Sequence, residues 1–181
     1  MRRFPRLATA VVLFAATAPA WAAAIVDKVQ VEGLEDEVMV ENINAALSLN
    51  DSLGKRLAES RLEYLLDEAA AETREALEPF GYYSPTVTID APRNEGAEDE
   101  RLTVVVRVSL GEPVRVRKRD LSIEGEGGDD RYLKEDLAAF APDVGDVFDH
   151  TTYAASKLAI LPRLAHRGYF EAEFTHRRGG V

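Results

Sequence analysis

At 181 residues, with 46% apolar and 8% aromatic residues, the chain can bury one or two cores of domain size, and with no cysteine it carries neither a disulfide framework nor a thiolate metal site. Its 32 acids against 22 lysines and arginines give a formal charge of -10. That balance excludes the nucleic-acid backbone as a partner, because binding phosphates requires a basic face.

Residues 1–22 read as a secretory signal peptide: Arg2, Arg3 and Arg6 make a basic start, residues 7–18 are apolar, and Ala20-Trp21-Ala22 has the small-x-small form of a cleavage site. The apolar run, about a dozen residues, is too short to span a bilayer as a helix. Removing this leader, which holds three arginines and no acid, takes the formal charge from -10 to -13. Export without cysteines points to a bacterial periplasm and to stability drawn from ordinary cores.

The first unit is predicted over residues 25–111. Residues 25–33 alternate, with Val29 and Val31 on one face and Gly33 at the end, which predicts a strand. Met39, Val40, Ile43, Ala46 and Leu47 then recur at helical spacing, and a cluster at 50–54 stops the helix. A second helix is predicted from Ser60, with Glu63 as the other half of a capping box. Its apolar stripe runs through Leu62, Leu65, Leu66, Ala69, Ala70, Thr73, Ala76, Leu77 and Phe80, and Pro79 and Gly81 end it. Tyr83, Pro85, Val87, Ile89 and Ala91 share one parity of a half-buried strand, which Pro85 marks as an edge. After a polar loop at 92–100, Leu102, Val104, Val106, Val108 and Leu110 form the best strand of the unit, giving the order β-α-α-β-β.

The same grammar returns in a second unit, predicted over residues 114–181 behind the Gly111-Glu112-Pro113 boundary. Val29-Gln30-Val31-Glu32-Gly33 reappears as Leu121-Ser122-Ile123-Glu124-Gly125, and the helix exit at Gly81-Tyr82-Tyr83 as Gly168-Tyr169-Phe170. Residues 114–124 predict a strand whose apolar parity switches from Val114 and Val116 to Leu121 and Ile123. A helix follows, capped by Asp129 or Asp130, with Tyr132, Leu133, Leu137 and Phe140 inward. Another runs from Thr151 or Thr152 through Tyr153, Leu158, Leu161, Leu164 and Ala165, and Pro162 predicts a kink or break in it. Residues 169–175 predict the next strand. The counterpart of 102–110 is absent from the sequence, so a truncated second unit is expected.

Tandem β-α-α-β-β units behind a signal peptide resemble POTRA domains, the polypeptide-transport-associated modules in front of outer-membrane assembly barrels. Two stretches carry a closer similarity to the front end of TamA-like barrel subunits of translocation and assembly modules: residues 77–83, Leu-Glu-Pro-Phe-Gly-Tyr-Tyr, and residues 111–127, from Gly111-Glu112-Pro113 to Glu126-Gly127. The resemblance covers residues 25–176. It implies an α+β fold of small mixed three-stranded sheets, each covered by two helices, with the second copy incomplete. It implies a scaffold without catalysis or cofactor, in the periplasm and attached to the outer membrane if the full-length protein carries a barrel. Its implied partners are outer-membrane assembly proteins and unfolded outer-membrane or autotransporter substrates, bound by strand addition to a sheet edge. The third POTRA domain and the barrel expected of such a protein are not in this sequence. The alternative is a free-standing periplasmic adaptor or chaperone-like binder.

On this reading the docking edge is Tyr83, Ser84, Thr86, Val87, Thr88 and Ile89, with Pro85 opposing a long ladder. Arg115, Arg117, Lys118 and Arg119 are the one dense basic cluster, suited to an acidic partner or anionic head groups, or else a solvated strand face beside a junction. Phe80, Tyr82, Tyr83, Tyr169 and Phe170 flank helix exits and read as core before they read as a substrate cradle. For an enzyme the residues offer little. His150, His166 and His176 lack a metal-ligand spacing, no Gly-x-Ser-x-Gly or phosphate loop occurs, and the acidic stretches at 95–100 and 124–130 lack the ligand order of a calcium loop.

Overall fold

The computed structural model describes residues 23–92 and 100–175. The expected leader, most of the acidic loop at 92–100 and the tail from His176 lie outside the described residues. Residues 23–109 form the first unit. Strand β1 (Ala23–Glu32) leads to helix α1 (Glu37–Ala46), strand β2 (Arg56–Ala58), helix α2 (Glu59–Leu77), strand β3 (Thr86–Asp90) and strand β4 (Glu100–Ser109). The sheet order is β2-β1-β4-β3, with β1 and β4 parallel and both outer pairs antiparallel. The fold is α+β, and its sheet has four strands where three were expected. The fourth, β2, holds a single buried apolar residue, Leu57, and exists through pairing with Ala23, Ala24 and Ile25.

Strand β4 is the axis of this unit. Leu102, Val104, Val106 and Val108 are all buried, and alternation with period two puts them on one face. β1 matches that face only because it carries one extra residue at Asp27, where the register moves from Val26↔Leu102 to Lys28↔Thr103. Before this bulge the inward side chains are Ala24 and Val26, and after it Val29 and Val31. A regular ladder would have turned one of these pairs to water. On the solvated face Arg107 spans three strands, pairing with Glu32 at 3.2 Å and with Asp90.

The helices cover the other face. In α2 the predicted stripe is in place: Leu62, Leu65, Ala69, Thr73, Ala76 and Leu77 are buried. Thr73 is tolerated there because its hydroxyl donates to the Ala69 carbonyl at 2.6 Å. The capping box does not form: the chain enters α2 directly from β2, so Ser60 lies inside the helix and its N-cap position is Ala58, with no side-chain cap. α1 is capped by Asp36, which accepts from the Val38 amide at 2.8 Å, and the Asn42 amide ties α1 to the Ala76 carbonyl at 2.7 Å. Gly33 closes β1 at φ 91°, where a Cβ would lie 2.1 Å from the Val108 oxygen. The Glu-Gly ending is thus a point of backbone contact with β4.

The second unit holds helix α3 (Arg131–Ala138) and helix α4 (His150–His166). Asp130 caps α3, α4 runs through Pro162 unbroken, and Leu133, Phe140 and Leu164 are buried. Three expectations fail here. Neither 114–124 nor 169–175 is a strand; the former makes one isolated bridge, Arg115↔Val147. A strand needs a ladder partner, and no described residue supplies what β4 gives β1. In addition Tyr132, read as inward, and Phe170, read as core, are exposed, at 81% for Phe170. No helix of the described residues is long and apolar enough to cross a membrane.

Candidate partner-binding site

The expected docking strand lies at the border of the sheet. β3 pairs with β4 in the register Thr86↔Ser109 to Asp90↔Val105, and no described strand pairs with its other side. Thr86 and Thr88 are exposed on the solvated face, while Val87 and Ile89 pack half-buried against the core. With one face fixed in the core and no described strand on its outer side, β3 is an edge strand of the kind that strand addition requires. Pro85 is buried and precedes β3, so it takes no rung of the ladder. Ser84 is exposed at the approach to this strand.

Tyr83 does not belong to that edge. Its hydroxyl lies 2.6 Å from His150 Nε2, at the start of α4, and burial, with a smaller contribution from the Glu78 charge, holds its pKa above the ordinary 10.0. Phe148 stacks edge-on against His150 with ring centroids 5.2 Å apart. Beside them Gly81, at φ 87°, accepts from the Val114 amide at 2.8 Å, and a Cβ at Gly81 would meet Val147 Cγ1 at 2.8 Å. The Val114 carbonyl in turn accepts from the Phe148 amide at 2.8 Å. The helix exit of the first unit is therefore the seat of the junction with the second. Sequence reasoning weighed His150 only as a metal ligand and missed this role; the signal within reach was its place beside the Asp149 cap of a helix.

The basic cluster divides by task. Arg115 donates to the Gly145 carbonyl at 2.9 Å, and Arg119, with a side chain only 21% exposed, donates to the Phe140 carbonyl and pairs with Asp143 at 3.3 Å. Both fasten the 114–119 segment to the loop between α3 and α4. Lys118 pairs with Asp120 at 3.2 Å in full exposure, and Arg117 is exposed with no ion pair among the described residues. Only Arg117 and Lys118 remain to face a partner. No hydrogen bond or ion pair joins this cluster to β3 among the described residues.

Among solved structures, the chain is similar to POTRA3-5 of BamA from Haemophilus influenzae, with 17% identity, 82% of this chain and 52% of that one covered, and a TM-score of 0.38. It is also similar to BamA from Haemophilus ducreyi lacking POTRA domains 1-3 (16% identity, TM-score 0.39) and to POTRA1-2 of the periplasmic domain of Omp85 from Anabaena (13% identity, TM-score 0.29). The Haemophilus ducreyi match covers 82% of this chain and 25% of that one, and the Anabaena match 81% of each. The chain thus spans about half the length of the first structure and a quarter of the second. A family model described as POTRA domain TamA domain 1 matches residues 28–108, which are the sheet and helices of the first unit. With its four-stranded α+β fold, the first unit of this chain is thus similar, over residues 28–108, to the POTRA domain that this family model describes.

Proposed function

We propose that the chain is the periplasmic POTRA region of a TamA-like outer-membrane protein assembly factor, exported through its amino-terminal leader, and that it binds assembly partners or unfolded outer-membrane clients by strand addition. It acts as a scaffold and carries out no chemistry. The observation that carries the reading is β3, a strand with one face anchored in the core and one side of its backbone unpaired among the described residues. Strand addition reads backbone groups rather than side chains, which suits many clients of different sequence. The docking residues on this reading are Ser84, Thr86, Val87, Thr88 and Ile89, with Arg117 and Lys118 as a separate contact for an acidic partner.

The chain has no cysteine, so a single introduced one is a unique attachment point. A photoreactive label on Thr88→Cys is expected to capture an unfolded outer-membrane β-strand peptide, while the same label on Glu63→Cys, on the exposed side of α2, is not. Equal capture at both positions would refute strand addition at β3.

A further inference from the structure

Two units in one chain turn against one another by default, unless the contact between them is large and apolar or otherwise fixed. Here the linker itself leaves little freedom. Between Ser109, the last residue of β4, and Val114, where hydrogen bonding resumes, lie residues 110–113. Leu110 packs against the core of the first unit, and the ring of Pro113 fixes its own φ. Gly111, in the left-handed region at φ 71°, and Glu112 are left as the hinge.

Val114 holds both units with its two backbone groups. Its amide donates to the Gly81 carbonyl of the first unit, and its carbonyl accepts from the Phe148 amide of the second, each at 2.8 Å. Val116 extends the second half of this clamp: its amide donates to the Asp146 carbonyl at 2.9 Å, and its carbonyl accepts from the Gly145 amide at 2.8 Å. Alongside, α4 packs against the turn at 78–80, and its first residue, His150, brings Nε2 to 2.6 Å from the Tyr83 hydroxyl. These contacts converge on Gly81, which is buried. A Cβ there would meet Val147 Cγ1 at 2.8 Å and the Phe148 oxygen at 3.1 Å, so the second unit occupies the space a side chain would need. A helix exit requires glycine only for its left-handed backbone. Gly54 has that backbone, at φ 71°, with nothing within 4 Å of its missing Cβ, so the close approach at Gly81 is a property of the junction.

We propose that Gly81, Tyr83, Val114, Val147, Phe148 and His150 form a latch that holds the two units as one rigid body. The latch grips residues 81–83, which lead into β3, so the direction of the sheet border is fixed relative to α4. Its interunit part is one backbone hydrogen bond among the described residues, the Tyr83–His150 contact and the packing on Gly81, which is little enough for single substitutions to open it. This goes beyond strand addition and stands whether or not β3 accepts a strand.

Because the chain has no cysteine, a pair of nitroxide labels can be placed on introduced ones. With Glu63→Cys on α2 and Leu158→Cys on α4, both exposed, double electron–electron resonance on the full chain reads the interunit distance, and Glu63→Cys with Lys28→Cys reads the first unit alone. The expected result without further substitution is a single narrow interunit distance. Gly81→Ala, and to a smaller extent Tyr83→Phe, should replace it with a broad distribution while the distance within the first unit stays narrow. Gly54→Ala introduces the same left-handed strain with no neighbour to displace, and should leave both distances unchanged. If Gly81→Ala also broadens the distance within the first unit, Tyr83→Phe decides, since it adds no atom and no backbone strain. A broad interunit distance in the otherwise unaltered chain overturns the latch. So does a narrow one that neither Gly81→Ala nor Tyr83→Phe disturbs, and so does equal broadening by Gly54→Ala.

Discussion

Deleting Asp27 should leave the first unit folded, although it removes a residue from the middle of a strand flanked on both sides. Asp27 is the spare residue of the bulge. Without it Val26 and Lys28 become neighbours, and the pairs Val26↔Leu102, Lys28↔Thr103 and Val29↔Val104 run on in regular register. What is lost is the Asp27–Arg101 pair, 2.7 Å long between side chains 39% and 67% exposed, together with local twist. An exposed pair contributes about 0.2–1 kcal/mol, so a total cost under about 2 kcal/mol is expected. The same deletion in a strand of regular register, such as β4 at Val105, would turn Val106 and Val108 outward and Arg107 and Ser109 inward. Two valines lose roughly 1.5 kcal/mol each and two buried polar chains cost roughly 1–3 kcal/mol each, about 5 kcal/mol or more in all. That is comparable with the entire stability of a small domain, about 5–15 kcal/mol. Urea unfolding followed by circular dichroism separates the two cases. Deleting Val105 from β4, whose register is fixed on both sides, provides the unfolded control. Loss of the transition on deleting Asp27 would refute the bulge assignment.

Two further outcomes follow from the junction. Arg119→Ala should lower the urea midpoint by the equivalent of about 1–3 kcal/mol, because it leaves the Phe140 carbonyl without its charged donor, whereas Arg117→Ala should stay within about 0.5 kcal/mol; equal effects would show that the cluster is not divided as described. Tyr83 has a folded pKa raised above 10.0, so its stabilising effect is complete below that value and declines as pH rises through the folded pKa. The urea midpoint should fall above pH 10 less steeply for Tyr83→Phe than for the wild type, and parallel declines would place Tyr83 outside the buried junction.

The elements that were legible in the sequence are those that a stretch of chain can specify by itself. The α2 stripe, the β4 alternation and the helix exits at Gly81 and Gly168 are local patterns, and both glycines adopt the left-handed backbone expected, at φ 87° and 96°. The elements that escaped depend on a second party. β2 is three residues with one buried apolar member, too short for a period, and it is a strand only because Ala23, Ala24 and Ile25 lie beside it. The Ser60 box was a sound local signal overridden by the chain entering α2 from that strand. The bulge was half legible, since the even pair Ala24 and Val26 gives way to the odd pair Val29 and Val31, but only β4 shows which residue is spare. At the candidate site, Pro85 was read as a proline inside an edge strand but precedes β3 and takes no rung, and the border position of β3 is set by its pairing with β4 alone; the bond from Tyr83 to His150 spans 67 positions and left no trace in local pattern.

The same distinction accounts for the contrast between the units. Residues 121–124 repeat the alternation of the end of β1, and residues 169–175 follow a helix exit with the same left-handed glycine as the one before β3, yet only the first unit turns these signals into a sheet. Its helices need no outside help, because each closes its own hydrogen bonds. Its strands do, because β1 and β3 each pair with β4 and not with one another. Alternation in 114–124 and 169–175 is therefore a local signal that becomes a strand only where a ladder partner lies beside it, and among the described residues these segments have none, with Leu121 and Phe170 exposed.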